Sequence, residues 1–270
     1  MDFTKIKLIV TDMDGTLLDS KGNLNDRFFE LVEELKSAGL KIAVASGRQY
    51  YSLTAKLEEV KEELIFIAEN GSIVMEGEKQ LHIQPMQRSL AMEIVRCLKA
   101  IGGKYIIVCG KKSAYIEQTD PEFMTPFLMH YDKYEVVEDL LEVKDDEFLK
   151  VTVCDLSGAE ENTLPHVEHL KDELQVKLSG QIWVDFTHRE AQKGNALVKL
   201  QELYEITPEE TMSFGDYLND LELFNHSKFS YAMANAHEEV RNKAAFLAKS
   251  NDEGGVLLVL EEVLKSLKKV

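Results

Sequence analysis

The chain has few cysteines, few prolines and no long apolar run. Of its 270 residues, three are cysteine and five are proline. The number of cysteines is odd, and none are spaced as CxxC: they are Cys97, Cys109 and Cys154. The sequence therefore predicts neither a disulfide framework nor a zinc cluster. Because the apolar runs are only a few residues long, we expect no membrane span, no secretory segment and a cytoplasmic location.

Positive charge is also scarce. The chain has 31 Lys and Arg against 48 Asp and Glu, a formal net charge of −17. Such a surface repels nucleic acid and anionic membranes, because both are bound through clustered Lys and Arg. We therefore expect a small-molecule partner, and a phosphorylated one would need local positive charge.

The two ends of the chain alternate strand-like and helix-like segments. The first end reads "KLIV", a helix from about Asn25, "LKIAVAS" and "LIFIAENG"; after about residue 188 come "KGNALVKLQELY", "TMSFGD" and "FSYAMAN". Continuous apolar strands between helices indicate a parallel sheet covered on both faces. The predicted core is therefore α/β, Rossmann-like and doubly wound, with a mostly parallel sheet.

The pattern changes between these ends. Closely spaced strand candidates, "KYIIVCG", "SAYIEQ", "EFLKVTVCD", "LQVKLS" and "IWVDFT", predict an antiparallel sheet with helices on one face. We therefore expect a core of residues 1–82 and 188–270, with residues 83–187 inserted as an α+β domain.

Chemically active side chains follow the predicted core strands. Ligands bind outside the carboxyl ends of the strands in such sheets. The candidates at these ends are Asp12, Asp14, Ser46, Gly47, Arg48, Asp216, Asn219 and Asp220, together with Lys193, which opens a helix.

This set of side chains suits phosphoryl transfer. Neighbouring carboxylates raise one another's pKa unless a cation lies between them, and Mg²⁺ takes one or two carboxylates beside a phosphate. Asp12 could then act as a nucleophile and Asp14 as the acid and base, while Thr16 ties down the turn at Gly15.

The other candidates have supporting roles. Ser46, Gly47 and Lys193 would bind the phosphoryl group, and Asp216 would complete the metal shell. Asn219 and Asp220 would orient water, Lys193 or the phosphoryl group. For Arg48 the sequence leaves two interpretations open, a substrate contact or a salt bridge to an acid such as Glu69.

The motifs "DMDGT", "ASGR", "KGNAL" and "GDYLND" resemble, in order and spacing, the four motifs of the haloacid dehalogenase superfamily. The insert resembles the large α+β cap, of C2B type, of its Cof-like branch, and "ASGRQYYSL" and "CGKKSAY" are similar to bacterial sugar phosphatases.

The resemblance implies a role for several of these residues. Asp12 is the implied nucleophile, Asp14 the acid and base that also gives its backbone carbonyl to Mg²⁺, and Asp216 a further metal ligand. Ser46 and Lys193 are implied to bind the phosphoryl group. The metal set is therefore Asp12, Asp14 and Asp216.

The predicted function is a Mg²⁺-dependent phosphatase that hydrolyses small phosphorylated metabolites, above all sugar phosphates, through an aspartyl-phosphate. A cap over the site makes a monomer more reasonable than an oligomer. The alternatives are a phosphomutase, a phosphatase for a cofactor phosphate such as FMN or pyridoxal phosphate, a receiver-like signalling module and a non-catalytic binding protein. Repeated release of phosphate would separate a phosphatase from the mutase, the signalling module and the binding protein.

Overall fold

The computed structural model describes residues 2–268, which form two compact units. The first unit comprises residues 2–47, 57–82 and 192–268, and the second comprises residues 48–56 and 83–191. No helix among these residues is both long and apolar enough to cross a membrane.

Residues 2–268 form fourteen strands and ten α-helices. The strands are β1 (Leu8–Asp12), β2 (Lys41–Ala45), β3 (Ile65–Ala68), β4 (Ile73–Glu76), β5 (Lys79–Ile83), β6 (Tyr105–Gly110), β7 (Ala114–Ile116), β8 (Tyr134–Val136), β9 (Phe148–Cys154), β10 (Leu174–Gly180), β11 (Trp183–His188), β12 (Thr211–Gly215), β13 (Phe229–Ala232) and β14 (Phe246–Leu247). The helices are α1 (Arg27–Ser37), α2 (Tyr50–Lys56), α3 (Arg88–Ile101), α4 (Pro121–Phe127), α5 (Ala159–Asn162), α6 (Leu164–Val167), α7 (Lys193–Tyr204), α8 (Leu221–Asn225), α9 (Glu238–Lys243) and α10 (Gly255–Leu267).

The first unit is built on one eight-stranded sheet in the order β14-β13-β12-β1-β2-β3-β4-β5. The pairs from β14 to β3 are parallel, and β4 joins β3 antiparallel. β1 lies in the middle and is buried along its whole length, which explains its continuous apolar run. The predicted α/β class with a mostly parallel core sheet is confirmed.

Helix α1 shows how local sequence sets an element's ends. Phe28, Leu31 and Leu35 recur at three- and four-residue spacing and are all buried. The Asn25 side chain accepts a hydrogen bond from the Arg27 amide at 3.0 Å, and Gly39 follows the helix with φ +90°. The helix therefore ends where glycine supplies a left-handed backbone conformation.

The second unit contains a six-stranded sheet in the order β10-β11-β9-β6-β7-β8. Its pairs are antiparallel except for β7 and β8, which are parallel. One face packs against α3 in a large apolar cluster. The prediction of helices on one face is wrong, because Phe123 and Phe127 of α4 pack with Ile107 and Cys109 on the other face.

The extent of the second unit differs from the expected residues 83–187 at its end and by one additional segment. The unit extends to residue 191 and includes residues 48–56. Side chains of that short segment bond to backbone atoms of the second unit: Gln49 Nε2 donates to the Lys133 carbonyl at 2.9 Å, and Tyr51 OH donates to the Lys111 carbonyl at 3.1 Å. Such contacts link residues far apart in sequence, so local patterns do not reveal them.

The packing of Phe214 yields a stability prediction for the first unit. Its ring is fully buried in β12 and stacks on Tyr231 with centroids 5.3 Å apart. We expect Phe214→Ala to lower the free energy of unfolding by about 3–5 kcal/mol, because it leaves a cavity. Leu247→Ala in β14, where the side chain is 64% exposed, is the control and should cost less than about 0.5 kcal/mol. Urea unfolding measures both, and equal losses would contradict the assigned packing.

Candidate active site at the edge of the parallel sheet

The carboxyl ends of β1 and β12 bring distant acidic residues together. Asp12 is the last residue of β1, whereas Asp216 and Asp220 follow β12. One carboxylate oxygen from each of the three lies within 4.8 Å of the others. Because β1 and β12 are neighbours in the sheet, Asp12 lies beside Asp216 and Asp220, and the three residues form one acidic cluster.

Lys193 lies between two of these carboxylates. It opens α7 and is 1% exposed. Its Nζ lies 2.6 Å from Asp12 Oδ1 and 2.7 Å from Asp220 Oδ1. Burial by itself lowers the pKa of Lys193, but the charges of Asp12 and Asp220 outweigh it and raise the pKa above its ordinary value. Lys193 is therefore a fixed positive charge.

Burial and mutual repulsion raise the pKa values of two carboxylates in the cluster, Asp12 and Asp216. Burial raises the pKa of Asp12 well above its ordinary value, with repulsion from Asp220 and Asp216 added and attraction to Lys193 opposing. Burial and then repulsion from Asp220 raise the pKa of Asp216 to about 6, although Thr16 Oγ1 donates a hydrogen bond to Asp216 Oδ1 at 3.1 Å. Lys193 thus pairs with only two of the three acids, and a cation would relieve the remaining repulsion.

The donor set fits Mg²⁺, a hard cation that prefers carboxylate oxygen. Asp12 and Asp216, two of the three predicted ligands, belong to the cluster. Its third carboxylate is that of Asp220, predicted to be a supporting residue and bonded here to Lys193. Asp14 is exposed, and the role implied for it at the metal uses its backbone carbonyl.

The turn after β1 depends on Gly15. This residue has φ +79°, and a Cβ added to it would lie 2.4 Å from Asp216 Oδ2. Any larger residue would therefore collide with a carboxylate of the cluster. The Gly15 carbonyl accepts a hydrogen bond from Asn235 Nδ2 at 2.8 Å. This bond ties the turn to a residue near the other end of the chain.

The predicted phosphoryl-binding residues Ser46, Gly47 and Asn219 are connected through Asn70. The backbone N–H of Asn70 donates to the Ser46 carbonyl at 2.9 Å, and Asn219 Nδ2 donates to the side-chain Oδ1 of Asn70 at 3.1 Å. A Cβ at Gly47 would lie 3.0 Å from Asn70 Nδ2. Asn70 has φ +56°, a left-handed conformation that asparagine tolerates better than most residues.

Arg48 belongs to the second unit. Its Nη1 donates to the Met129 carbonyl at 3.0 Å. The sequence left open a substrate contact or a salt bridge for Arg48, and the structure gives it a third kind of partner, a backbone carbonyl. A role in substrate binding stays a prediction.

Two residues were not among the candidates, although they hold the site together. Asn235 bonds to the Gly15 carbonyl, and the His237 amide donates to the Asp216 carbonyl at 2.8 Å. Both follow β13, the next parallel strand after β12. The sequence signal for both is their position in "YAMANAHEEV", directly after a core strand, where ligands bind in parallel sheets.

The fold and the site define a class: an α/β protein with an acidic cluster and a buried lysine at the carboxyl edge of its parallel sheet. Residues 9–260 match the family model described as haloacid dehalogenase-like hydrolase. The chain belongs to this family, and it is a phosphoric monoester hydrolase of the Cof-like branch.

Individual relatives agree with this assignment. The chain is 33% identical over 267 residues to the 5-amino-6-(5-phospho-D-ribitylamino)uracil phosphatase YbjI of Escherichia coli, covering 96% of this chain and 97% of that one. The crystal structure of SMU.1108c from Streptococcus mutans superposes with a TM-score of 0.85 at 30% identity, covering 96% and 99% of the two chains. The subclass IIB sugar phosphatase BT4131 has the same fold, with a TM-score of 0.79 at 22% identity over 95% and 98%.

Removing the shared lysine tests the electrostatic balance. We expect Lys193→Met to lower the free energy of unfolding by about 3–5 kcal/mol, because it leaves two buried carboxylates without their cation. Lys199→Met on the same helix, where the side chain is 51% exposed, should change it by less than about 0.5 kcal/mol. Denaturant titration in EDTA measures both, and a loss below about 1 kcal/mol for Lys193→Met would contradict the ion-pair argument.

The raised pKa of Asp216 predicts a pH dependence of stability in metal-free protein. Its carboxyl titrates at about 6 in the fold, against an ordinary value of 3.8, so the folded state binds this proton more tightly. The contribution is fully present below about pH 4 and is lost as the pH rises through about 6.

The comparison of wild type with Asp216→Asn isolates the contribution of the Asp216 carboxyl to stability. In EDTA, the melting temperature of the wild type relative to the variant should fall between about pH 4 and about pH 7, and added Mg²⁺ should reverse that fall. Identical pH profiles for the two proteins would refute the assigned titration.

Proposed function

We propose that this phosphatase is Mg²⁺-dependent and acts on small phosphorylated metabolites through an aspartyl-phosphate on Asp12. The observation that carries the proposal is the position of the Asp12 carboxylate, buried at a strand end and 2.6 Å from the Lys193 ammonium. A carboxylate fixed beside a permanent positive charge is held ready for attack on an anionic phosphate.

The proposed reaction has two steps. In the first, an Asp12 oxygen attacks phosphorus, the bond between phosphorus and the ester oxygen breaks, and Asp14 protonates the departing alcohol. In the second, Asp14 takes a proton from water, the water oxygen attacks phosphorus, and the acyl-phosphate bond breaks. Inorganic phosphate leaves, and both aspartates return to their starting states.

The remaining residues bind and orient. Ser46, the Gly47 amide, Lys193 and Asn219 are proposed to contact the phosphoryl oxygens, with Arg48 as a further substrate contact. Mg²⁺, held by Asp12, Asp216 and the Asp14 carbonyl, would supply the charge that offsets repulsion between carboxylate and phosphate. Thr16 and Asp220 keep Asp216 and Lys193 in place through the hydrogen bonds described above.

Sugar phosphates are the proposed substrates. The name of the E. coli relative favours a second candidate, a phosphorylated ribitylaminouracil, because that protein shares 33% of its sequence over almost the whole chain. FMN and pyridoxal phosphate, two cofactor phosphates, complete the panel of candidate substrates. We propose a cytoplasmic monomer, in keeping with the sequence-based expectation.

Variants of the two aspartates separate the two chemical steps. We expect Asp12→Asn to lower phosphate release by more than about 10³-fold in Mg²⁺, because the nucleophile is lost. With p-nitrophenyl phosphate, whose leaving group needs no proton, Asp14→Asn should release one p-nitrophenolate per enzyme in a burst and then stall, because no base activates water. Quenched-flow absorbance measures the burst.

The Asp26→Asn variant is the control, because Asp26 is exposed at the start of α1, and it should keep wild-type turnover. Near-wild-type turnover by Asp12→Asn would sink the covalent mechanism. Stalling of the wild type after a single phosphorylation would favour a receiver-like module, transfer of the phosphoryl group to a sugar would favour a mutase, and turnover undiminished by EDTA would remove Mg²⁺ from the proposal.

A further inference from the structure

Two asparagines from near the other end of the chain bind the turn after β1, which carries Asp14. The Gly15 carbonyl accepts a hydrogen bond from Asn235 Nδ2 at 2.8 Å. The Leu18 carbonyl accepts one from Asn251 Nδ2 at 2.9 Å. The turn is therefore held at two of its carbonyls, both on the C-terminal side of Asp14.

The two asparagines are also bonded to each other. The backbone N–H of Asn251 donates to Asn235 Oδ1 at 3.0 Å, so Asn235 uses its side-chain oxygen for one partner and its side-chain nitrogen for the other. An aspartate at this position would keep the bond from Asn251. It would also place a carboxylate oxygen against the Gly15 carbonyl, because an ionised carboxylate has no hydrogen to donate. The network therefore requires the amide group of asparagine.

The segment that carries Asn251 is itself held in place. It follows β14, and a capping box closes it: the backbone N–H and the hydroxyl of Ser250 both donate to Glu253 Oε2, at 3.2 and 2.8 Å. The next residue, Asp252, accepts a hydrogen bond from the Ser20 backbone N–H at 2.8 Å. A well-defined segment after β14 thus contacts the chain both within the turn and beyond it.

Asp12 and Asp14 depend on different parts of the structure for their positions. Asp12 is the last residue of β1, where it is paired with β2 and bonded to Lys193 at 2.6 Å. Asp14 is exposed and lies beyond the strand, with φ −78° and ψ 121°. The bonds from Asn235 and Asn251 therefore bear on the position of Asp14, whereas strand pairing fixes Asp12.

We propose that Asn235 and Asn251 are positioning residues, which hold the Asp14 carboxyl in the orientation that reaches the departing alcohol and the attacking water. The inference rests on the proposed function, in which Asp14 is the acid and the base. Proton transfer requires the two heavy atoms to lie within hydrogen-bond reach, and a displacement of about 1 Å can cost about 100-fold in rate. Loss of either asparagine should therefore impair the steps that need Asp14 and spare the attack by Asp12.

Two aryl phosphates of similar size test the inference, because only one of them needs the proton. Phenol has a pKa of about 10, as the tyrosine side chain does, and leaves poorly as an anion, whereas p-nitrophenol leaves without a proton. At saturating Mg²⁺, Asn235→Asp and Asn251→Asp should each lower kcat/KM for phenyl phosphate by about 10- to 100-fold. They should lower kcat/KM for p-nitrophenyl phosphate by less than about threefold. Asn242→Asp, exposed on α9, is the matched control and should leave both values unchanged.

The Asp14→Asn variant is the reference, and it should show the same selective loss to a greater extent. Equal losses on both substrates, or none, in the asparagine variants beside a selective loss in Asp14→Asn would overturn the inference and leave the proposed function standing. An unselective Asp14→Asn would refute the proposed acid instead. Asn235→Ala and Asn251→Ala remove the donors without adding charge, and they carry the same test if circular dichroism finds the aspartate variants unfolded.

Discussion

The ammonium of Lys193 between Asp12 and Asp220 is the interaction on which the arrangement of the first unit's site depends. Burying an acid costs several kcal/mol unless a partner of opposite charge compensates, and here one lysine serves two acids at 2.6 and 2.7 Å. The three residues come from the end of β1, the start of α7 and the segment after β12. Their meeting therefore requires the parallel sheet to be fully assembled, which links the integrity of the fold to the geometry of the site.

The buried lysines of the two units are held in different ways. Lys193 makes two short ion pairs, so its charge is committed to neighbouring carboxylates. Lys150 lies 3.8 Å from Asp185, beyond hydrogen-bond length, in a network that includes a threonine hydroxyl. The short pairs hold the charge of Lys193 in place beside Asp12 and Asp220.

Much of the fold followed from local patterns, and the exceptions have two causes. The strands β6, β9, β10 and β11 were expected within a residue or two, because buried strands carry long apolar or alternating runs. The strand β8 was not expected: it has three exposed residues, Tyr134–Val136, and no periodic signal. The placement of α4 on the second face and of residues 48–56 with the second unit depends on contacts between distant segments, which a local pattern does not contain.

The sequence by itself determined the α/β class, the insert and most of the candidate residues, because strand periodicity and strand-end chemistry are local properties. Tertiary structure alone decided that Asp220 joins Asp12 at Lys193, that Gly15 leaves space for Asp216 and that Asn235 holds the Gly15 carbonyl. It also decided that Lys150 and Asp185 meet on one sheet face. Strand order and register fix these meetings, and both result from packing of the whole chain.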